Sequence, residues 1–501
     1  MNFKKNDFLK LDLTPQRTSS YLSCRCGKIS FNSLEDESPS KSFISISDDS
    51  TLKQYFNNFQ PKMLVDDILN NNFEIVLSEN PAYIVYKESP LHKKDFAIDK
   101  EILYVKLEKL IEIISSTNEK SDELFEVCLY GYLSFCDDET IFRELIKRFH
   151  LQFPLNMTKS EKELIYNQKI MMIQKKILVF LQFWIEIYKE TIVTNKELDI
   201  LFEETLFFLY HYKNEFSDCH MELSRLLISL EEVRVYKNFK RFNETNRRCF
   251  KNAITSCLTE IVFPINYYIL NYPKEIVEQI CVFDFDNFSR ISIPELLKKK
   301  NIGENYSFFA NHFNNFSKII TFILLWNNVA KKLLVLFEKI VEITDLLIKN
   351  NNYYTAFAFF LAITHSAVER LHRLFIKKLH KNVKEKLKTF AKLFDSSNNH
   401  FNLREEQKKM IGPCVPFLGI YVKDLLNLEE NSKLNYGSVY KKMIDFRKCY
   451  QISMIIKEID NYKEVWYEFE RNDQLYEHLK YLPDMPDELL YELSYKIMPS
   501  S

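Results

Sequence analysis

Apolar residues along most of this chain recur at steps of three and four, and nowhere do they alternate with period two for long enough to build a sizeable sheet. In LYVKLEKLIEIISS, residues Leu103, Leu107, Leu110, Ile111 and Ile114 fall on one helix face. Ser121 stands as an N-cap ahead of the helical stretch DELFEVCLYGYLSF. SEKELIYNQKIMMIQKKILVFLQFWIEIYKE reads as one strongly apolar helix, and helical patterns continue through 196–232 and 235–270. Pro273 sits where a first-turn proline belongs. Beyond it, two long helices flank an Asn-rich turn at 350–352. No repeat of fixed period appears, which argues against a solenoid. The expectation is an all-α protein of two helical lobes.

Composition shifts divide the pattern. Residues 1–60, Ser-rich over 17–50, predict a flexible tail, 61–235 an N-terminal helical lobe, 236–271 a connecting helix, and 272–501 a second lobe. With 68 basic against 69 acidic residues, net charge gives no pull toward nucleic acid or a membrane. The ten cysteines are single apart from Cys24 and Cys26, which lack a second pair at zinc-ligand spacing, so no metal is expected. Dispersed thiols fit a reducing compartment. MNFKKNDFLKLDL has no apolar signal-peptide core, and the apolar runs ILVFLQFWIEIY and IITFILLW fall short of the roughly 20 residues of a bilayer span. A cytoplasmic location is the expectation.

The parts of a bond-making enzyme are missing. With six glycines in the chain, no Gly-rich phosphate loop can be placed, and neither a metalloprotease nor a nucleophile-elbow motif occurs. The paired carboxylates at 66–67, 137–138 and 429–430 lie in polar surroundings and read as solvated surface or helix caps. His365 reads as a core or helix-end histidine with a hydrogen-bond partner. In KKLHKNVKEKLKTFAK, Leu379, Val383, Leu387 and Phe390 share a helical face opposite a lysine-rich one. An Asn/Ser turn and a second, more charged helix follow, which predicts a hairpin standing off the body as a partner-binding device. At its base the scarce backbone-shaping residues gather: Gly412, Pro413, Pro416 and Gly419, with Phe417 among them. Gly412-Pro413 is expected to stop the returning arm, and Gly419 to permit close packing before the next helix.

At this segment the chain resembles the Ras-family guanine-nucleotide exchange factors, whose catalytic domain carries P-x-V-P-[FY]-x-G-x-Y-[LV]-x-D-L; here it stands as GPCVPFLGIYVKDL, residues 412–425. Other blocks follow in the family's order: KEIVEQICVFDFDNFSRISIPELL, FILLWNNV, NNYYTAFAFFLAITHSAVERLHRLF, MIDFRKCYQISMIIKEIDNYK and DELLYELSYKIMP. Upstream, 107–149 resembles the Ras exchanger motif that accompanies this domain. The resemblance implies a GTPase regulator that needs no cofactor. It would release GDP from a Ras-like small GTPase, favouring the nucleotide-free form, by wedging a helical hairpin into the switch region. On that reading residues 380–393 supply the wedge, with Leu387 and Phe390 as apolar intruders and Glu385 as the acidic residue facing the phosphate site. Phe322, Trp326, Arg370, Leu371 and Phe375 would lie in or beneath a GTPase-binding groove, and Gly412, Pro413, Pro416, Phe417 and Gly419 form the hairpin base. Nucleic acid is not an implied partner, and membrane recruitment falls to other proteins or to the tail. Phe322, Tyr354 and Glu369 depart from the family's usual residues, as does the lysine-rich wedge. These departures give a second reading, a fold-retaining scaffold that binds a GTPase without exchange.

Overall fold

Large apolar residues are buried wherever the three-and-four spacing is regular, and the helices meet along those faces. The computed structural model describes residues 84–86, 102–116, 120–151, 158–189, 192, 195–211, 219, 221–230, 232–233, 258–297, 303–326, 330–432 and 443–499. The predicted tail, the Cys24–Cys26 pair and most of the connecting helix lie outside the described residues.

In the N-terminal lobe, strands β1 (Ile84–Tyr86) and β2 (Ile102–Val105) pair antiparallel, and β2 also pairs with a strand from far along the chain. Leu103 therefore belongs to a strand, and helix α1 begins only at Leu107 and ends at Ile114. The run ILYV combines β-branched and aromatic residues, which suit a pleated surface, and its partners decide the matter. α2 (Lys120–Gly131) starts one residue before Ser121, so Ser121 is no cap; its buried hydroxyl accepts from Lys176. Asp137 caps α3 (Asp138–Phe149) by accepting from the Thr140 amide at 2.7 Å. Its neighbour Asp138 is buried and accepts from the Tyr132 hydroxyl at 2.6 Å. The long apolar stretch is helix Lys159–Ile165, opened by a Thr158–Glu161 capping box, then one π turn and α4 (Met171–Ile187). With α5 (Lys196–His211) it closes an aromatic core in which the Trp184 ring lies 5.5 Å from Phe202 and 5.9 Å from Tyr132.

The second lobe comprises α6 (Leu258–Asn271), α7 (Pro273–Ser289), α8 (Glu304–Trp326), α9 (Ala330–Lys349), α10 (Tyr353–Ile363), α11 (Lys381–Leu393), α12 (Ser397–Lys408), α13 (Gly419–Ser432), β3 (Ile444–Asp445), α14 (Phe446–Asn461), α15 (Asp473–Lys480) and α16 (Asp487–Ile497). Pro273 occupies the first turn of α7, as the sequence predicts. The small sheet has the order β1-β2-β3, so the strand that begins α14 is held by the N-terminal lobe, and the described residues of both lobes belong to one compact unit.

Two joints fix this arrangement. Between lobes, α2 crosses α14 at Gly131, where an added Cβ would stand 2.7 Å from Cys449 Sγ and 2.9 Å from its carbonyl oxygen. Inside the second lobe, the carboxyl of Asp284 on α7 is fully buried. One of its oxygens accepts from Asn352 Nδ2 at 2.7 Å and from Thr355 Oγ1 at 2.5 Å. Asn352 in turn caps α10, its side-chain oxygen accepting from the Thr355 amide at 3.0 Å. The other Asp284 oxygen has no protein partner. Burial pushes this carboxyl up to about 7, and the two hydrogen bonds restrain the rise.

Gly131→Val should therefore lower unfolding free energy by about 1–3 kcal/mol in urea titration, because the backbone carbonyl of Cys449 cannot swing aside; an unchanged midpoint would show that the crossing is loose. For Asp284, the folded state holds more protons than the unfolded state between its ordinary range near 4 and about 7, so this group's contribution to stability falls as pH rises through that window and is constant above it. Between pH 5 and pH 8 the wild type should lose on the order of 2 kcal/mol relative to Asp284→Asn, which cannot ionise. Parallel pH profiles for the two proteins would contradict the buried, raised carboxyl.

Candidate functional site

The segment GPCVPFLG is a strut. Asn351 takes a left-handed conformation (φ 58°) that turns the chain out of α9, and Asn352 forms a parallel bridge with Val415. The Val415 amide donates to the Asn351 carbonyl at 3.1 Å, and the Tyr353 amide donates back to Val415 at 3.0 Å. Cys414, Val415, Pro416 and Leu418 are buried, and the half-buried Phe417 ring stands 4.7 Å edge-on to Phe357. The returning arm α12 ends at Lys408, four residues before Gly412, so Gly412-Pro413 does not stop it. Gly412 instead supplies a positive φ of 104° that steers the chain into the bridge. α13 begins at Gly419 itself, where a Cβ would lie 2.7 Å from the tip of the Phe417 ring.

The α11–α12 hairpin is not free-standing. Phe390 is 1% exposed and belongs to the main core, and Leu387 is half-buried against it. Their helix lies along α9, with Lys386 paired to Asp345 at 3.0 Å and the His380 amide donating to Glu338 at 3.2 Å. Phe390 thus faces the body and cannot meet a partner, because the apolar side of an amphipathic helix is the side its own domain buries. Glu385 remains exposed, on a face otherwise rich in lysine. Asn398, Asn399 and His400 make the hairpin turn with three successive left-handed residues (φ 50°, 58° and 57°). The turn is fastened to α13: Asn399 Nδ2 donates to Asp424 at 3.1 Å, and Arg404 pairs with Asp424 at 2.8 Å.

A second helix pair, α13 and α14, follows the strut, and sequence reasoning passed over it as a working element. Tyr421 of α13 donates to Glu458 of α14 at 2.9 Å and meets the Tyr462 hydroxyl at 3.2 Å. Leu425 is buried, whereas its neighbour Leu426 is 48% exposed beside exposed Lys423, Asn427 and Glu430. α14 is braced from the N-terminal lobe by the β2–β3 pairing, the Gly131–Cys449 crossing and the Lys457–Glu126 ion pair. The signal that could have found Leu426 is the Leu-Leu pair ahead of two glutamates, since only one of two adjacent leucines can face a helix's core side.

The predicted groove residues separate. Phe322, Leu371 and Phe375 are buried, with the Phe375 ring 5.0 Å from Phe337. Trp326, at the end of α8, is 55% exposed, with its ring 5.2 Å from Phe322. Arg370 stacks over Tyr495 at 4.2 Å and donates to the Ser494 carbonyl at 2.9 Å and the Met498 carbonyl at 2.7 Å. It anchors α16 to the core. His365 stands at a helix end, capping the start of the short helix Ser366–Glu369 with its Nδ1 accepting from the Ala367 amide at 3.3 Å, and burial lowers its pKa. Among the described residues no three His, Cys, Asp or Glu side chains gather to hold a metal, and no helix is long and apolar enough to cross a membrane.

The comparisons agree with this architecture. The RasGEF domain family matches residues 275–450, and the RasGEF N-terminal motif matches 101–208. The chain is 24% identical over 414 residues to Ras guanine nucleotide exchange factor S of Dictyostelium discoideum, covering 80% of this chain and 38% of that protein. It is 31% identical over 236 residues to Ras-specific guanine nucleotide-releasing factor 1 of Rattus norvegicus, covering 45% of this chain and 18% of the relative. Against Rap guanine nucleotide exchange factor 1 of Homo sapiens it is 29% identical over 234 residues, covering 46% and 21%. The chain spans at most 38% of the length of these relatives. With both matched regions in the family's order on an all-α fold, the chain belongs to the Ras-family guanine-nucleotide exchange factors, carrying the N-terminal motif ahead of the RasGEF domain.

Proposed function

We propose that this chain promotes GDP release from, and GTP loading of, a Ras-type small GTPase, and that it presses on the partner with α13 of the α13–α14 pair rather than with α11. The observation that carries the reading is the exposed Leu426 with Glu430 one turn further on, set on a helix pair clamped from both sides. An apolar side chain held in water gains free energy when a partner covers it, and a carboxylate one turn away competes for cations or donors that hold nucleotide phosphate. An exchange factor accelerates release only if it binds the nucleotide-free GTPase more tightly than the loaded one, so the presenting surface must be rigid and preformed. No bond is made or broken, and no cofactor of its own is required. Trp326, the exposed member of the predicted groove, is the second contact on this reading, while Phe322, Leu371 and Phe375 support it from beneath. The scaffold alternative rests on the departures at Phe322, Tyr354 and Glu369 and on the lysine-rich α11. Phe322 and Tyr354 are buried, with the Tyr354 ring stacked at 3.9 Å on Phe309, so those two alter the core. Glu369 and the α11 residues Lys381, Lys388 and Lys392 are exposed and keep this reading open to the exchange assay.

Release of fluorescent GDP should be followed with Ras-, Rap-, Ral- and Rho-type GTPases. Acceleration of at least one is expected. Leu426→Asp should cut that rate about ten-fold or more, a loss of at least about 1.4 kcal/mol in transition-state stabilisation, with the melting temperature little changed because the side chain is already in water. Phe390→Asp, by contrast, should unfold the second lobe. Binding without acceleration by any GTPase would favour the scaffold, and full activity in Leu426→Asp would remove α13 from the mechanism.

A further inference from the structure

The lysine-rich face of α11 is used by none of the contacts above. Between Arg373 and Lys392 the sequence holds eight basic side chains, Arg373 included, and one acidic one, Glu385, in a chain whose net charge is −1. Lys381, Lys384, Lys388 and Lys392 follow at steps of three, four and four, so they form one stripe opposite Leu387 and Phe390. Lys377 and Lys378 extend it in the short turn that precedes the helix, and Ile376 beside them is 41% exposed. Lys377, Lys378, Lys381, Lys388 and Lys392 are exposed, and only Lys381 has an acidic neighbour, Glu385 at 3.9 Å. The acids packed against the helix are engaged on its inner flank, Asp345 with Lys386 and Lys349 and Glu338 with His380.

We infer that this face is a docking surface for an anionic lipid bilayer. The thirteen-residue helix spreads the stripe over about 20 Å, with an exposed aliphatic side chain at one end. Lysines presented as separate point charges suit a diffuse sheet of lipid headgroups, and Ile376 is placed to enter the acyl boundary as they settle. Helix α11 exposes no aromatic ring on which a single-stranded nucleic acid would stack. Recruitment of the chain to a membrane then does not wait on another protein. The inference does not depend on the exchange reading, since it concerns a different helix.

The full chain should be sedimented with vesicles of phosphatidylcholine alone and with roughly 30% phosphatidylserine. Anionic vesicles should hold it about ten-fold better, with the advantage shrinking as salt rises, because the attraction is screened. The joint change Lys377→Glu, Lys378→Glu, Lys388→Glu and Lys392→Glu should abolish the preference, and the same four changed to Gln should reduce it with the melting temperature retained. Glu385→Lys, which cannot act by damaging the fold of an exposed face, should strengthen binding. Equal binding to both vesicle types, a preference untouched by the lysine changes, or lysine-dependent binding to soluble polyglutamate but not to vesicles would overturn the inference.

Discussion

The buried junction of Asp284, Asn352 and Thr355 sets where the strut leaves the second lobe's core, and with it where α13 begins. A carboxylate removed from water costs more than two hydrogen bonds return, so the junction is a poor device for stability alone. It contributes position. The Asn352 side chain is at once the partner of Asp284 and the cap of α10, and the backbone on either side of it bridges to Val415, so one residue position ties α7, α10 and the strut together. Because each bond has a single geometry, the strut enters α13 at a fixed place and angle.

From that point outward, rigidity comes by clamping. The α11–α12 turn grips α13 through Asp424, and the N-terminal lobe grips α14 through Gly131, Cys449 and a two-residue strand. Each clamp is modest alone; ion pairs such as Arg404–Asp424, with both side chains 22% exposed, contribute little in water. Together they leave the pair α13–α14 few ways to move, which is what differential binding to one state of a partner requires. On this account the N-terminal lobe acts as a brace, and its own aromatic core around Trp184 keeps the brace stiff.

Most of the fold was legible because helix periodicity and apolar spacing are local properties of the chain. Pro273, Asp137 and the segment at 412–419 carried their signals within a few residues. The strand at 102–105 was not legible, since its partners lie about 20 residues before it and 340 after it, and no window sees both. The same limit applies to the hairpin. Leu387 and Phe390 share one apolar face, as their spacing predicts, but a sequence does not say whether such a face meets its own core or a partner. Periodicity identifies which residues move together into an apolar environment, and only packing identifies whose environment it is.

That distinction also separates the two proposed surfaces. α11 packs its apolar side on the core and exposes mainly lysines, so what it could recognise is charge spread over a surface. α13 buries Leu425 and leaves Leu426 in water, which leaves an uncovered apolar contact at a defined point next to an acid. A diffuse electrostatic face tolerates variation in its lysines and favours orientation, while a single fixed apolar contact demands shape and favours discrimination. The hairpin that carries the charged face meets α13 through Arg404 of α12 and Asp424, so on the proposed readings where the molecule rests would be coupled to what it presses upon, without either surface borrowing residues from the other.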